Sequence, residues 1–471
     1  MQTPSFDDLL AENQQLRDRV AQLERALAQL QHTCDDLRRQ LEAAVAAGKR
    51  QAAPFSKRQP VEQPKKPGRK AGEQHGTHGH RAPPAADQID EIHEAPLPSA
   101  CPGCGGTLDE TAIDQQYQTD IPRRPIVRQF NVHCGRCRNC GQSCRGRHAL
   151  QTSDASGAAA SQLGPDAQAA VVLLNKDAGL SYGKIAAFFS TLFGIRVTRG
   201  ACAQIVLRAG RRLRPAYAEI QQHLHESKCI TPDETGWRLG GHPAWLHAWV
   251  GDDVTCYVIS PKRSADALQA VIGLDWDGTL VHDGFASYNR FVLACHQQCL
   301  AHPLRRAHNL EATQTGVAQR FPRQVIDLFQ GALQVRDAYV AGDVDAAALA
   351  AAHERYLADL EALSVVTQRN AANETFAWHL WTHAEHWFQF LLDPSIPATN
   401  YQGEQAIRPA VVNRKVWGGN RTDAGAEAQG VVCSVLQTCK QGALSAFSYV
   451  RDTLCRGFAS LFSPTVDVTG R

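Results

Sequence analysis

The stretch KCITPDETGWRL, residues 228–239, decides the fold because it places an acidic residue, Asp233, inside a short apolar strand. Two more stretches with strand composition, AWLHAWVGDD and TCYVISP, follow it. A short helical stretch, SADALQAVIG, and another predicted strand, GTLVHDGFASYNRF, complete the pattern. Three antiparallel strands, a helix and a further strand are typical of a ribonuclease H-like α/β core, which we predict over residues 226–430.

In that topology two carboxylates meet at one edge of the sheet. Asp233 lies on the first strand and Asp283 at the end of the fourth, although they are far apart in the chain. Residues 305–399 are dominated by helical patterns and predict an α-helical insertion. TNYQGEQAIRPAVVNRK then supplies Glu404 from a helix that Pro409 is expected to limit. Carboxylate oxygens suit Mg²⁺ or Mn²⁺, and two such ions stabilise both the attacking and the leaving oxygen of a phosphodiester.

The N-terminus carries a seven-residue apolar repeat that predicts a coiled coil over residues 6–47. The d positions are Leu9, Leu16, Leu23, Leu30 and Leu37, and the a positions are Asn13, Val20, Leu27, Cys34 and Leu41. Asn13 at an a position favours two parallel strands, and hence a homodimer or higher oligomer. A different zipper partner, or one amphipathic helix packed on its own domain, is the alternative.

Residues 48–99 are rich in proline and basic side chains and predict a disordered linker. Between Lys49 and Arg81, nine Lys or Arg residues face two Glu residues. The KKPGRK stretch either contacts DNA phosphates or is a solvated tether. Net charge is only +2, so any nucleic-acid signal lies in such local clusters.

Two Cys-x₂-Cys-Gly motifs, CPGCG and CRNCG, predict a zinc-binding domain over residues 100–150. Two thiolates three positions apart can grip one face of a tetrahedral Zn²⁺, and the glycine lets the turn bend. The predicted ligands of one structural Zn²⁺ in this Cys₄ zinc ribbon are Cys101, Cys104, Cys137 and Cys140. Cys134 also precedes Cys137 by three positions and stays an alternative ligand.

Residues 160–220 contain three helix patterns, the last of them basic, and predict a helix-turn-helix DNA-binding domain. Ser181 and Thr198 are natural N-caps, and Gly179 and Gly194 are natural stops. A plain helical bundle with a positive surface is the alternative here, as is a merely structural zinc ribbon in the preceding domain. The predicted DNA contacts of the whole chain are Arg128, Arg136, Arg138, Arg199, Arg208, Arg211, Arg212, Arg408 and Lys415.

Several weaker signals concern compartment and core. The chain has no apolar run long enough to span a membrane and no secretion signal at its start, and its fifteen cysteines mostly occur singly. We therefore expect a cytoplasmic protein. CHQQCLAH would place Cys295 and Cys299 on one helix, which is a weak metal signal, and residues 431–471 predict a C-terminal helical segment. The aromatic run Trp378, Trp381, Trp387, Phe388 and Phe390 indicates core more than a base-stacking platform.

Taken together, these motifs resemble the transposases of the insertion sequence 66 group along nearly the whole chain. The resemblance rests on the zipper and basic linker, CPGCG and CRNCG, TPDETGWRL, HDGFASY, CLAHPLRR, TNYQGEQAIRPAVVNRKVWGGNRT and AFSYVRDTL. It implies that Asp233, Asp283 and Glu404 form the acidic triad of a DDE transposase. Two positions depart from the family pattern: Tyr401 stands where a second Asn is common, and Gly403 stands where Ala is common.

The resemblance implies a multidomain α+β protein that uses two Mg²⁺ or Mn²⁺ ions to cut DNA at the ends of a mobile element. The freed 3′-hydroxyl would then attack target DNA, with no covalent protein–DNA bond. The implied partners are the element ends, the target DNA and further copies of the chain, and the motifs leave open whether accessory proteins take part. The implied location is the bacterial cytoplasm, at the nucleoid when bound. A nuclease of the same fold and a catalytically inactive DNA-binding regulator are the alternatives.

Overall fold

The computed structural model describes residues 83–119, 121, 124–151 and 163–462, together with five N-terminal positions: Gln14, Arg19, Val20, Leu23 and Leu27. The chain divides into two compact units, residues 1–119 and 120–471. Most of the predicted coiled coil and basic linker lies outside the described residues. The five N-terminal positions are helical and exposed, and three of them, Val20, Leu23 and Leu27, are seam positions of the predicted coiled coil. The coiled coil and its oligomer stay predictions.

The first unit contains one short 3₁₀ helix, Ala86–Gln88, within its described part. The strands of the second unit are β1 (Cys134–Arg136), β2 (Ser143–Arg145), β3 (Cys229–Leu239), β4 (His242–Val250), β5 (Thr255–Ser260), β6 (Thr279–His282) and β7 (Cys295–Gln298). Its α-helices before β7 are α1 (Pro165–Lys176), α2 (Tyr182–Phe193), α3 (Arg199–Arg212), α4 (Arg214–Glu226) and α5 (Asp266–Ile272).

After β7 the described chain is helical. Its α-helices are α6 (Ala301–Thr313), α7 (Arg320–Ala341), α8 (Ala346–Ser364), α9 (Ala371–Thr382), α10 (Gln389–Leu392), α11 (Tyr401–Trp417), α12 (Asp423–Gln441) and α13 (Ala446–Arg456). Short 3₁₀ helices occupy Ala286–Arg290, Gly316–Gln319 and Ala384–His386. No helix in the described ranges is both long enough and apolar enough to cross a bilayer.

A five-stranded sheet in the order β5-β4-β3-β6-β7 forms the centre of the second unit. Its first three strands in chain order pair antiparallel, and β6 and β7 join them in parallel. Two details of the prediction were wrong. The fourth strand ends at His282 because Gly284 turns the chain with a φ of 88°, and CHQQ forms strand β7 rather than a helix.

Four helices, rather than the predicted three, precede the sheet. The hydroxyl of Ser181 accepts the Lys184 N–H at 3.3 Å and that of Thr198 accepts the Ala201 N–H at 3.1 Å, so both predicted caps form. The basic third pattern breaks at Leu213 because Pro215 in the next turn cannot continue the backbone hydrogen bonding. The apolar faces of these helices pack into one hydrophobic core with β3, β5, β6, α12 and α13.

Helix α12 covers the edge of the sheet that β5 forms. The Tyr257 N–H of β5 donates to the Ser434 hydroxyl at 2.8 Å, and the Thr255 N–H donates to the Thr438 hydroxyl at 3.1 Å. Gly430, one turn earlier, lets the helix approach so closely that an added Cβ would lie 2.8 Å from the Tyr257 carbonyl oxygen. Small residues spaced four apart thus satisfy edge N–H groups that would otherwise pair with another strand.

Helix α11 lies across β3 and β4, where Ala406, Ile407 and Ala410 pack against the sheet. The expectation that Pro409 limits this helix was wrong, since the helix runs on to Trp417. Pro409 is on the exposed side, while the buried side packs on the strands and accepts a 2.7 Å hydrogen bond from the Tyr257 hydroxyl at the Ala406 carbonyl. Tertiary packing outweighs the one backbone hydrogen bond that proline removes.

Gly210→Ala is expected to destabilise the second unit by about 1–3 kcal/mol, because its new Cβ would lie 2.7 Å from the Ala428 Cβ across the contact of α3 with α12. Gly200→Ala in the same helix is the matched control. Its nearest neighbour would be 4.0 Å away, so a gain of about 0.5–1 kcal/mol is expected. Urea unfolding of both variants measures the difference. Equal effects would contradict the close helix contact.

Candidate active site

The parallel pairing of β6 with β3 brings two of the predicted acids, Asp233 and Asp283, to the same height along the sheet. Cys229 pairs with Thr279, an offset of 50 positions, and the same offset relates Asp233 to Asp283. Asp283 follows the last residue of β6 directly, so it stands at the strand end beside Asp233. Because side chains alternate along a strand, equal offsets also put both carboxylates on the same face of the sheet.

Gly403 brings the third acid to the same place. A Cβ added to Gly403 would lie 3.1 Å from the Asp233 Cβ and 3.2 Å from the Thr231 carbonyl oxygen. Glycine has a low helix propensity, but at position 403 it lets the first turn of α11 rest on β3. Glu404 is the next residue and is exposed beside Asp233. The three predicted acids, from two strands and one helix, are brought together.

The three carboxylates repel one another. Burial, together with repulsion from Glu234, Asp283 and Glu404, raises the pKa of Asp233 from its ordinary value to about 7, although a 2.8 Å hydrogen bond from the Glu234 N–H opposes the rise. Asp283 is exposed and accepts the Phe285 N–H at 3.0 Å. Within the described ranges no three His, Cys, Asp or Glu side chains converge closely enough, as they lie, to hold one metal ion.

A fourth carboxylate, Glu234, was missed in the sequence analysis. It points to the opposite face of β3, where its side chain is 3% exposed and accepts hydrogen bonds from Arg263 Nη2 at 2.7 Å and Nε at 2.9 Å. The Tyr288 hydroxyl donates to it at 3.1 Å, and the Arg263 guanidinium lies 4.3 Å from the Phe285 ring centroid. This cluster fixes the turn after Asp283 against β3. The aromatic residues of HDGFASY were the available sequence signal.

Two buried histidines hold the same turn from the other side of Asp283. The Gly284 N–H donates to His282 Nδ1 at 3.1 Å, so His282 Nε2 carries the proton and donates to His296 Nδ1 at 3.0 Å. His296 Nε2 in turn donates to the Phe291 carbonyl at 3.0 Å. This assignment follows from the hydrogen-bond network and makes both rings neutral. Burial, and then the neighbouring histidines, lower the pKa of His282 to about 3.

Three buried side-chain atoms around the acids have no hydrogen-bond partner among the described protein atoms: Thr231 Oγ1, Gln298 Nε2 and Asn400 Oδ1. Thr231 lies against Gly403, and Asn400 directly precedes α11. Gln298 ends β7 and lies against Gly284. Buried polar atoms normally have a hydrogen-bond partner. Several unpaired polar atoms beside three acids are therefore typical of a site that receives a polar ligand.

The two predicted zinc loops have the same backbone form, each within its own unit. Gly105 N–H donates to the Cys101 carbonyl at 2.8 Å and Gly141 N–H donates to the Cys137 carbonyl at 2.9 Å, with φ of 75° and 71°. Backbone N–H groups of the loops point at the sulfurs and lower the pKa of Cys101 and of Cys137. Cys134 lies on β1 instead, outside such a loop. The Zn²⁺ site stays a prediction.

The predicted DNA contacts divide by exposure. Seven are exposed: Arg128, Arg136, Arg138, Arg199, Arg211, Arg408 and Lys415. Arg208 and Arg212 are half-buried, and Arg212 Nη1 donates to the Leu454 carbonyl at 2.6 Å, so it also ties α3 to α13. Whether any of them contacts DNA stays a prediction.

The family model described as "Transposase IS66 family" matches residues 160–428, which is more than half of the chain and includes all three acids. The chain belongs to the IS66 transposase family. An uncharacterized protein, y4qI, of Sinorhizobium fredii is 25% identical over 301 residues, covering 56% of this chain and 54% of that protein. The chain thus matches about half the length of that relative.

The raised pKa of Asp233 predicts a pH-dependent stability. The folded state favours the protonated carboxyl, so this contribution is fully present below the ordinary pKa of 3.8 and is lost as pH rises through about 7. In a metal chelator, the stability of Asp233→Asn relative to the wild type is therefore expected to rise between pH 5 and pH 8, by about 2–3 kcal/mol. Urea unfolding measures it, with Asp327→Asn, an exposed carboxylate of α7, as matched control. A difference that is constant with pH contradicts the burial of Asp233.

Gly403→Val is expected to push α11 away from β3, at a cost of about 1–3 kcal/mol, because the whole side chain would have to enter the contact with Thr231 and Asp233. Gly403→Ala is the graded control. Its Cβ needs only a few tenths of an ångström of relief, while the helix gains about 1 kcal/mol of propensity. Thermal unfolding should rank Ala near the wild type and Val clearly below it. Equal stability of the two variants would show that the helix does not rest on the strand.

Proposed function

We propose that this protein is a DDE-type transposase that cuts DNA at the ends of a mobile element and joins the freed 3′-hydroxyl to target DNA. Family membership implies transposition-related DNA processing. The observation that carries the finer proposal is the meeting of Asp233, Asp283 and Glu404 through parallel strand pairing and the Gly403 contact. The strand order, three antiparallel strands followed by two parallel ones, supports a ribonuclease H-like core.

The three acids fit Mg²⁺ or Mn²⁺ because they form a set of hard oxygen donors, and burial, followed by repulsion from the neighbouring carboxylates, raises the pKa of Asp233 to about 7. Bound divalent ions would activate the attacking water or hydroxyl and neutralise charge on the leaving oxygen. Asp233 must give up its proton to serve as a ligand. The Arg263–Glu234–Tyr288 cluster and the His282–His296 pair keep the Asp283 turn in place while the ligands assemble.

Helix α11 offers a path for the DNA backbone that begins at Glu404. Arg408 and Lys415 are both exposed, and Lys415 lies about 16 Å along the helix axis from Glu404 at about 1.5 Å per residue. Arg414, the neighbour of Lys415, instead donates to the Gly236 carbonyl and to the Thr235 hydroxyl, which secures the helix on β3. Arg408 and Lys415 would contact phosphates, whereas Arg414 is used within the fold.

Other parts of the chain would supply DNA and subunit contacts. We propose that Cys101, Cys104, Cys137 and Cys140 hold one structural Zn²⁺, supported by the two matching loops. The arginines of that domain and the exposed Arg199 and Arg211 of α3 would bind element ends in the manner of a helix-turn-helix domain. The N-terminal heptads would join two or more copies, and the working location would be the bacterial nucleoid.

The decisive test incubates the protein with labelled DNA from either side of its gene, where the element ends would lie, with target DNA and Mg²⁺. Asp233→Asn, Asp283→Asn and Glu404→Gln are each expected to lower strand joining at least about a thousandfold, or about 4 kcal/mol of transition-state stabilisation. End binding measured in a chelator should persist, because exposed basic residues carry it. Asp327→Asn is the matched control and should join normally.

Cleavage and joining are scored separately in that experiment, since the alternatives differ there. Hydrolysis that never leads to joining would identify a nuclease of the same fold. Binding of the ends without any metal-dependent chemistry would identify a regulator. Strand joining by the Asp283→Asn protein would remove Asp283 from the proposed site.

A further inference from the structure

Asn400 stands directly before α11, in the position that caps a helix, but its side chain does not cap it. An asparagine in this position normally has an extended backbone and accepts a hydrogen bond from the N–H of the second or third helical residue. The ψ of Asn400 is 27°, outside the extended range, and its side chain accepts no such bond. Within the described ranges, the other α-helices that follow a Ser, Thr, Asp or Asn are capped by that side chain: Ser181, Thr198, Asp345, Asn370, Thr422 and Ser445.

The side chain of Asn400 is nevertheless buried. The residue is 2% exposed, and its Oδ1 has no hydrogen-bond partner among the described protein atoms. Asn175 and Asn373 are buried as well, but each of them donates from Nδ2 to a backbone carbonyl at 2.8 Å. A buried oxygen without a donor lowers the stability of a fold. The ligand-free fold therefore gains nothing from the Asn400 Oδ1.

Backbone contacts place Asn400 between the second and the third acid. The Cys299 N–H donates to the His282 carbonyl at 2.8 Å, which extends the pairing of β6 with β7 by one residue and puts Cys299 beside Asp283. Burial raises the pKa of the Cys299 thiol, the backbone N–H of Asn400 opposes that rise, and the charge of Glu404 adds to it. On its other side, the Asn400 carbonyl accepts the Glu404 N–H at 3.1 Å. Asn400 thus contacts both the neighbour of Asp283 and the helical turn that carries Glu404.

The chemistry of an amide oxygen decides which ligand Asn400 can take. The oxygen only accepts hydrogen bonds, as ionised carboxylates and DNA phosphates do, so neither an acid nor a phosphate can be its partner. A divalent cation can, because Mg²⁺ and Mn²⁺ bind carbonyl oxygens as well as carboxylates. Mg²⁺ lies about 2.0–2.1 Å from its ligands, closer than the about 2.7–2.8 Å of a hydrogen-bonded water. It can therefore reach an oxygen that is closed to bulk water.

We propose that the Asn400 Oδ1 is a further ligand of the divalent cation that the three acids would bind. The proposal rests on the proposed function and adds a neutral oxygen to the acidic set, which fills a ligand position without adding to the repulsion among the carboxylates. Thr231 supports a cation at this place. Its Oγ1 is also buried and unpaired, and it lies on the same face of β3 as Asp233, against the first turn of α11.

The test follows urea unfolding of the full chain, first in a chelator and then over a series of MnCl₂ concentrations, without DNA. A cation that binds the folded state raises the urea midpoint by an amount that depends on its Kd. Asn400→Leu keeps the size of the side chain and removes its polar atoms. In the chelator this variant is expected to unfold at the wild-type urea midpoint or above it, because it loses an unpaired buried oxygen. It should need about tenfold more Mn²⁺ than the wild type for the same rise in midpoint.

Three further variants make the result specific. Asn370→Leu is the matched control, since Asn370 also precedes a helix but its Oδ1 accepts the Ala372 and Asn373 N–H groups at 3.0 and 3.2 Å. It should unfold at a lower urea concentration and respond to Mn²⁺ as the wild type does. Asn400→Asp keeps an oxygen at this position and should keep the response to Mn²⁺. Asp233→Asn identifies the part of the response that belongs to the acids.

Each outcome decides the proposal. A weaker Mn²⁺ response in Asn400→Leu, which Asn400→Asp restores, supports it. An unchanged response in Asn400→Leu overturns it and leaves Asn400 a structural role, and a weaker response that Asn400→Asp fails to restore also overturns it. If Asp233→Asn loses the response while Asn400→Leu keeps it, only this proposal fails. If Asp233→Asn and the wild type respond alike, the acids do not hold the cation, and the proposed function loses its site as well.

Discussion

The rest of the candidate site depends on the parallel pairing of β6 with β3. Because side chains alternate along a strand, a slip of one residue would send Asp283 to the opposite face from Asp233. The 50-position offset of Cys229 and Thr279 prevents this, and it puts both acids at the same level. Behind them, the Glu234 cluster and the His282–His296 pair hold the turn that follows Asp283. Neither group needs to touch a substrate to keep the register.

Glu404 reaches this edge through a different kind of contact. Helix α11 approaches β3 closely at Gly403, which has no side chain. Gly403 rests on Thr231 and Asp233, and the packing of Ala406 and Ile407 on the sheet keeps α11 continuous past Pro409. The helical insertion between β7 and α11 begins and ends at one hydrogen-bonded point, so it adds surface without moving the third acid.

Much of the fold could be predicted from local patterns. The strand around Asp233, the caps at Ser181 and Thr198 and the cysteine loops follow from side-chain size, alternation and turn chemistry, which act over a few residues. The predictions that failed depended on distant partners. The strand at Cys295 pairs with β6, and the helix beyond Pro409 packs on β3 and β4, and neither partner can be read from the local stretch. Family resemblance supplied Glu404, which composition could not single out among 47 acidic residues.

The sequence by itself determined most of the element types and the two cysteine loops, because these depend on residue identity and short spacing, and its motifs indicated the three acids through the family resemblance. Only the tertiary structure decided which carboxylate is buried and which is exposed, and so why the pKa of Asp233 rises to about 7. It also decided that Arg414 and Arg212 serve the fold and that two indoles of one aromatic run face outward. Burial and partnership are properties of the packed chain, since the partners are far apart in sequence, 178 positions for Arg414 and Gly236 and 242 for Arg212 and Leu454.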